Sequence, residues 1–123
     1  MRHAILSSAV LFTTIQLHGG DWPNWRGPNG NGVADGHDYP IAWTADNVAW
    51  KYQLNGIGAS TPAVQGDSVF VTTTVEGRNV VTCIGLDGRE RWAKRLGASI
   101  DGKQGKDGTG ANPSPVVDGE RVF

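Results

Sequence analysis

The feature that most constrains the fold is an internal repeat. A Trp-x-x-x-Leu stretch that begins at Trp50 recurs at Trp92, 42 residues later. A Pro-x-Val-x-Gly-[Asp/Glu]-x-Val-Phe stretch that begins at Pro62 recurs at Pro115, 53 residues later. The 11 additional residues of the second spacing lie in one Gly- and Lys-rich segment, about 97–110. A period of ~40–45 residues with several short strands is typical of a β-propeller blade, whose insertions map to loops.

The residues between the matched positions alternate as strands do. Every second residue of 48–54 is apolar, and this period of two predicts a half-buried strand. Trp92 and Leu96 likewise share one face, with Arg89, Arg91, Ala93 and Arg95 opposite. Further strands are expected over about 60–65, 68–74, 79–84 and 89–96, and the next blade is expected from about 114.

Three turn signals separate these strands. Gln65-Gly66-Asp67 and Glu76-Gly77 each interrupt a β-branched run. Asp87-Gly88 is typical of a two-residue hairpin, because a type I′ turn needs a positive φ at both central positions. Four strands joined in this order form an antiparallel meander of about blade size.

Three groups of residues resemble a known family. They are Thr61-Pro62-Ala63-Val64 with Gly66 and Val69-Phe70-Val71, then Leu86-Asp87-Gly88 with Arg89-Glu90-Arg91-Trp92, then Ser114-Pro115-Val116-Val117 with Gly119 and Val122-Phe123. In this order they resemble the pyrroloquinoline-quinone-like (PQQ-like) β-propeller repeat family, which includes the outer-membrane-protein assembly lipoprotein of bacteria. Residues 21–28, followed by Gly32-Val33, resemble the start of secreted bacterial members. The chain departs from the family at Asp87-Gly88, where a longer turn is usual.

Length then limits what the chain can contain. A propeller has ~4–8 blades, so even the smallest ring needs about 170 residues, and this chain has 123. The expected class is therefore all-β, a partial β-propeller that is the N-terminal fragment of a longer protein. We expect a signal peptide over 1–20, a mostly irregular leading segment over 21–47 and propeller sequence over 48–123. That last part would hold an outer strand, one complete four-stranded blade and the start of a second.

The N-terminal residues predict export. Arg2 and His3 precede a mostly apolar run over 4–17, and small residues follow it. That run is shorter than the ~20 residues of a membrane span, so we expect a periplasmic or secreted protein with no integral membrane segment after signal removal. An uncleaved N-terminal anchor is the alternative. The net charge of −1 gives no electrostatic support for nucleic-acid binding.

Two segments resemble a nucleotide-binding motif and a metal-binding motif, but both are better explained as loops. Residues 97–103 match the first seven places of a phosphate-binding P-loop, but Gln104 replaces the Ser or Thr that would hold Mg²⁺. The glycines and prolines that follow are incompatible with the required helix, so this segment is predicted to be a loop. Residues 35–38, Asp-Gly-His-Asp, lack partner ligands at useful spacing. No catalytic, cofactor-binding or metal-binding residue is therefore assigned.

Several other side chains are predicted to be structural. Arg89, Arg91, Lys94 and Arg95 are expected on a solvated outer strand, with partner docking as the alternative. Trp22, Trp25 and Trp43 are expected to anchor the leading segment, with a stacking groove for a ligand as the alternative. Trp50 and Trp92 recur at the repeat period, which favours packing between blades. Cys83 is expected to be a small buried apolar residue.

These observations favour an exported, non-catalytic binding or scaffold module with a protein or polysaccharide partner. The alternative is a quinone-dependent alcohol or sugar dehydrogenase, for which the family resemblance would imply PQQ and Ca²⁺ as cofactors. Such enzymes commonly carry a Cys-Cys pair, and this chain has one cysteine. Fold alone does not decide between them. A third possibility is a structural part of a larger multidomain surface protein.

Overall fold

The computed structural model describes residues 20–34, 36, 39–99, 111 and 113–123. The prediction of an all-β chain is confirmed, since the described residues form one four-stranded antiparallel sheet and a single 3-10 turn at Ala45–Asn47. The strands are β1 (Ala63–Gln65), β2 (Ser68–Val75), β3 (Arg78–Gly85) and β4 (Glu90–Ala98), and they lie in the sheet in chain order. The predicted signal peptide falls on residues outside this range, apart from Gly20. Within it, no helix is long and apolar enough to cross a membrane.

The strand register defines two faces of the sheet. Residues directly opposite each other in an antiparallel pair lie on the same face. What we call the front face carries Ala63, Ser68, Phe70, Thr72, Val81, Cys83 and Trp92. What we call the back face carries Val64, Val69, Val71, Thr73, Val80, Thr82 and Ile84. Every residue of β3 from Val80 to Gly85 is buried, so both faces are covered at this strand.

The turns differ in kind along the sheet. Glu76 and Gly77 both have positive φ (50° and 72°), the requirement of a type I′ hairpin. The prediction of a type I′ turn at Asp87-Gly88 is wrong, because only Gly88 has a positive φ. The connection is three residues long, 86–88, and is closed by the Gly85 amide donating to the Arg89 carbonyl at 2.8 Å. The Asp87 carboxylate accepts from the Arg89 amide at 3.1 Å, which holds the turn in this form.

The second copy of the repeat folds like the first. In the first copy Val64 pairs with Val69 around Gly66, and in the second Val117 pairs with Val122 around Gly119. Both glycines have positive φ. The second pairing is closed by reciprocal hydrogen bonds of 2.8–2.9 Å between Val116 and Phe123. We call residues 113–123 the second hairpin.

The second hairpin covers the front face. Its Pro115 and Val117 are buried, and Val117 and Val122 line a cavity together with Phe70, Cys83 and Trp92 of the sheet. Polar bonds fix the contact as well. The Thr72 hydroxyl donates to the Pro113 carbonyl at 3.0 Å, and the Gly119 amide donates to the Gln65 side-chain oxygen at 3.1 Å.

Residues 50–54 pass the back face. The Tyr52 hydroxyl donates to the carboxylate of Glu90, which stands opposite Ile84 on that face. Leu54 lines a cavity with Val71 and Thr73. The Trp50 side chain lies against Gly88, where an added Cβ would come within 2.7 Å of it. The described chain therefore has three layers, with the sheet in the middle.

Two strand predictions need correction. Residues 48–54 are extended beside the sheet but are not a strand, although their side chains from 50 to 54 alternate between half-buried and exposed as expected. The reason is that they lie over a sheet face, where side chains can pack but backbone groups find no ladder partner. Strand β4 is not half-buried as expected, since all nine of its residues are exposed at the sheet edge.

The opposite edge of the sheet is held by the Ser60 side chain and by a close backbone approach at Gly56. Beyond the start of β1, no backbone group of the described residues pairs with Thr72 of β2 on this side. The Ser60 hydroxyl takes that place, because it accepts from the Thr72 amide at 3.2 Å and donates to the Thr72 carbonyl at 3.0 Å. Four residues earlier, Gly56 has a φ of 80°, and a Cβ there would lie 2.1 Å from the Thr74 carbonyl oxygen. This close approach lets Ile57 pair with Thr74.

We expect Gly56→Ala to destabilise the chain far more than Gly77→Ala. Both glycines have positive φ, but a Cβ on Gly77 meets no atom within 4 Å. Gly77→Ala should cost about 1–2 kcal/mol for the left-handed conformation alone. Gly56→Ala adds a backbone clash and should cost roughly 2–5 kcal/mol in total. Urea unfolding of the full chain measures both, and equal losses would contradict the close approach.

Candidate functional site

The basic side chains of β4 are used in three different ways. Arg91 makes a bidentate pair with Asp67, with nitrogen–oxygen distances of 2.6 and 2.8 Å, and also donates to the Ser68 hydroxyl at 2.9 Å. Arg95 pairs with Glu76 at 3.3 Å. Lys94 instead lines a front-face cavity. The first two pairs tie β4 to the turns before and after β2, so they serve the fold.

A β-bulge explains why Arg91 reaches Asp67. Strict alternation predicts Arg91 on the face opposite Trp92, but the register shifts between Cys83 and Ile84. A bulge places an extra residue on the strand and re-aims a side chain. Arg91 and Trp92 consequently line the same cavity, and the sequence-based assignment of Arg91 to the other face is wrong.

The Asp67–Arg91 pair changes the acidity of Asp67. The hydrogen bonds from Arg91 lower the pKa of Asp67 from 3.8 to about 2. Partial desolvation of Asp67 opposes this shift, and the positive charge of Arg91 adds to it. The hydrogen bond to Glu90, with smaller contributions from desolvation and from the Glu90 charge, raises the pKa of Tyr52. Asp67 is exposed and Tyr52 is half-buried, and both pKa shifts come from pairing between segments that are distant in sequence.

Two cavities lie in the contact between the sheet and the second hairpin. The larger, about 450 Å³, is lined mainly by apolar side chains including Val81, Trp92, Leu96 and Phe123. The smaller, about 190 Å³, lies beside Arg91. The Phe70 and Trp92 rings meet within this contact at a centroid distance of 6.0 Å and a tilt of 51°. Trp92 lines both cavities and so faces the second hairpin, while 42% of it stays exposed.

The leading segment holds its tryptophans in two different settings. Trp22 is tied to β1, because its amide and carbonyl exchange 2.8 Å hydrogen bonds with Val64, and its ring lies against Gly27. Trp25 is 69% exposed. Trp43 is 72% exposed, so it does not anchor the segment as expected.

Trp25 lines an open cleft of about 660 Å³, which we call the Trp25 cleft. Its walls come from the leading segment and from the starts of both repeat copies, namely Asn24, Trp25, Arg26, Gly30, Ala59, Thr61, Pro113, Ser114 and Val116. At its base the Thr61 amide donates to the Ser114 hydroxyl at 2.9 Å, which joins the two copies. Sequence reasoning considered a groove at Trp25 but missed Arg26 and Ser114, although Arg26 directly follows Trp25 in the sequence.

The other sequence candidates have these outcomes. Cys83 is 2% exposed, which confirms its prediction as a buried residue, and burial raises the pKa of its thiol. In the P-loop-like segment, Gly97 and Ala98 end β4 and residues 100–104 lie outside the described range. Asp35, His37 and Asp38 also lie outside it. Across the described ranges, no three His, Cys, Asp or Glu side chains are grouped to hold a metal ion.

The chain matches no family model, and no curated protein or solved structure is significantly similar to it.

We expect Asp67→Asn to reduce the acid sensitivity of the fold. The folded pKa of about 2 lies below 3.8, so the pair stabilises fully above about pH 4, and this stabilisation is lost as the pH falls towards 2. Thermal unfolding from pH 7 to pH 2 should show a lower midpoint for the variant at neutral pH. Its midpoint should fall less than the native one between pH 4 and pH 2.

Arg91→Gln is the matched control for that experiment. It should flatten the same pH interval, and the double variant should add little to either single change because both remove one interaction. An acid transition of Asp67→Asn as steep as the native one would contradict the assignment.

Proposed function

We propose that this chain is the N-terminal part of an exported, non-catalytic β-propeller that binds a protein or polysaccharide partner. The observation that carries the proposal is how the two copies of the repeat pack. A fold built from repeats gives each unit the same contact with its neighbour, and the described residues contain part of that contact on each face of the sheet.

The contact is head-to-tail. Val117 and Val122 of the second hairpin face the front of the sheet, and they correspond in the repeat to Val64 and Val69, which lie on the back. The back of one unit thus meets the front of the preceding unit. The same rule holds one step earlier, because residues 50–54 pass the back of the sheet and correspond to residues 92–96 of β4. A heterologous contact of this kind generates a ring when its rotation closes.

A binding role fits the distribution of side chains. Arg91 and Arg95 of β4 pair with Asp67 and Glu76 in the turns before and after β2, so these charges are used within the fold. The Trp25 cleft lies where the two copies of the repeat and the leading segment meet. Sites in repeat architectures are built from loops on one face of the array, which suits a macromolecular partner.

The function is tested by measuring binding and turnover on the same preparation. The full chain should show saturable calorimetric binding to one soluble polysaccharide of a defined panel, or to one purified exported protein found by cross-linking. It should give no dye reduction with alcohols or aldoses when supplied with PQQ and Ca²⁺. Dye reduction above the protein-free control would overturn the proposal in favour of the dehydrogenase, and a lack of all binding would overturn the binding role.

The head-to-tail contact predicts that Val117→Asp releases the second hairpin. Val117 is 5% exposed, so an uncompensated carboxylate there should cost roughly 3–5 kcal/mol. Hydrogen exchange of residues 113–123 should accelerate strongly, and the urea midpoint should fall.

Val116→Asp is the control one residue away. Val116 is 44% exposed, and this change should stay within about 0.5 kcal/mol. Equal acceleration of exchange by both variants would show that the second hairpin is not seated through Val117.

A further inference from the structure

The turn that carries Trp25 is closed by internal hydrogen bonds, while the side chains of Trp25 and Arg26 are exposed. The Arg26 amide donates to the Asn24 side chain at 3.0 Å, and the Gly27 amide donates to the Asn24 carbonyl at the same distance. The Arg26 carbonyl accepts from the Gly32 amide at 2.9 Å. A fixed backbone with two exposed side chains is the arrangement of a preorganised binding surface, because little conformational freedom is lost on binding.

Arg26 differs from the arginines that support the fold. Arg91 and Arg95 each have a carboxylate within 3.3 Å. Among the residues that the structure describes, no carboxylate pairs with Arg26, although it lines the cleft beside Trp25. A guanidinium presents a planar fork of donors that fits a carboxylate in bidentate fashion.

We propose that the Trp25 cleft binds an acidic oligosaccharide. The Trp25 indole stacks on the apolar face of a sugar ring, and the Arg26 guanidinium receives a uronic carboxylate. The Thr61–Ser114 junction lies at the base of the cleft. This assignment rests on the proposed binding function and names the class of ligand and the residues that recognise it.

A peptide fits this cleft less well than a saccharide. One common mode of peptide recognition adds an extended strand to an open sheet edge through backbone hydrogen bonds. In the cleft walls, the amides of Gly30, Ala59 and Thr61 already donate within the chain, to Gly27, Ala111 and Ser114. The groups left to contact a ligand are the Trp25 ring and the Arg26 charge. They suit the sugar ring and the carboxylate of an acidic saccharide better than a peptide backbone.

The test compares oligogalacturonate with its methyl ester, which has the same sugar rings but no carboxylate charge. Calorimetry on the full chain should show tighter binding of the acid than of the ester. Trp25→Ala should weaken binding of both by roughly tenfold or more. Arg26→Gln should weaken binding of the acid by roughly tenfold and leave binding of the ester unchanged.

Two control variants separate this site from general surface effects. Trp43→Ala removes a tryptophan of similar exposure that does not line the cleft. Arg89→Gln removes an arginine whose side chain is 87% exposed. Both should bind the acid as the native chain does, and all four variants should unfold at the native urea midpoint.

Three outcomes would overturn the assignment: equal affinity for acid and ester, equal weakening by the control variants, or equally tight binding of a poly-glutamate peptide. The last would show a peptide or a general polyanion site. If another polysaccharide or protein binds with native affinity to Trp25→Ala, the cleft assignment fails while the proposed binding function stands. If no macromolecule binds to the chain, the proposed function itself fails.

Discussion

The seating of the second hairpin on the sheet is the contact on which the rest of the structure depends. Strand β3 is buried on both faces from Val80 to Gly85, and a lone four-stranded sheet has no means of covering both. Pro115 and Val117 close the front face over Val81 and Cys83, all of them buried. Burial of apolar surface is worth about 25 cal/mol per Å². The smallest stable unit therefore crosses the boundary between the two copies of the repeat, as expected when each unit is stabilised by its neighbour.

Polar groups set the register of this contact. Apolar packing is not directional, so it would allow the second hairpin to slide along the front face. The hydroxyls of Ser114 and Thr72 and the amide of Gly119 each bond across the boundary at 2.9–3.1 Å. This gives a physical reason for a hydroxyl residue at position 114, before the proline of the second copy. The Ser114 hydroxyl accepts a hydrogen bond from the Thr61 amide, just before the chain enters β1.

The sequence predicted well those features that depend on local pattern. The β-branched runs and the glycines at 66 and 77 located β2 and β3, and the repeat placed the start of a second copy at about 114, where the structure has the hairpin that pairs Val117 with Val122. Features that depend on distant pairing were missed. The bulge beside Cys83 has no local signal, and it moves Arg91 to the face where it meets Asp67. The alternation of apolar and polar residues over 50–54 predicted which side chains are partly buried. It does not distinguish a hydrogen-bonded strand from an extended segment that packs on a sheet face.

In the candidate site too, the features set by local sequence were predictable and those set by distant contacts were not. The adjacency of Trp25 and Arg26 is visible in the sequence, but their cleft exists only because the leading segment touches both copies of the repeat. Trp22 pairs with Val64 of the first copy, and the Pro23 carbonyl accepts from the Val117 amide of the second at 2.9 Å. The turn that follows is thus held over the boundary between the copies. Its side chains are positioned by the packing of the repeats, so the geometry of the cleft is a consequence of the head-to-tail contact.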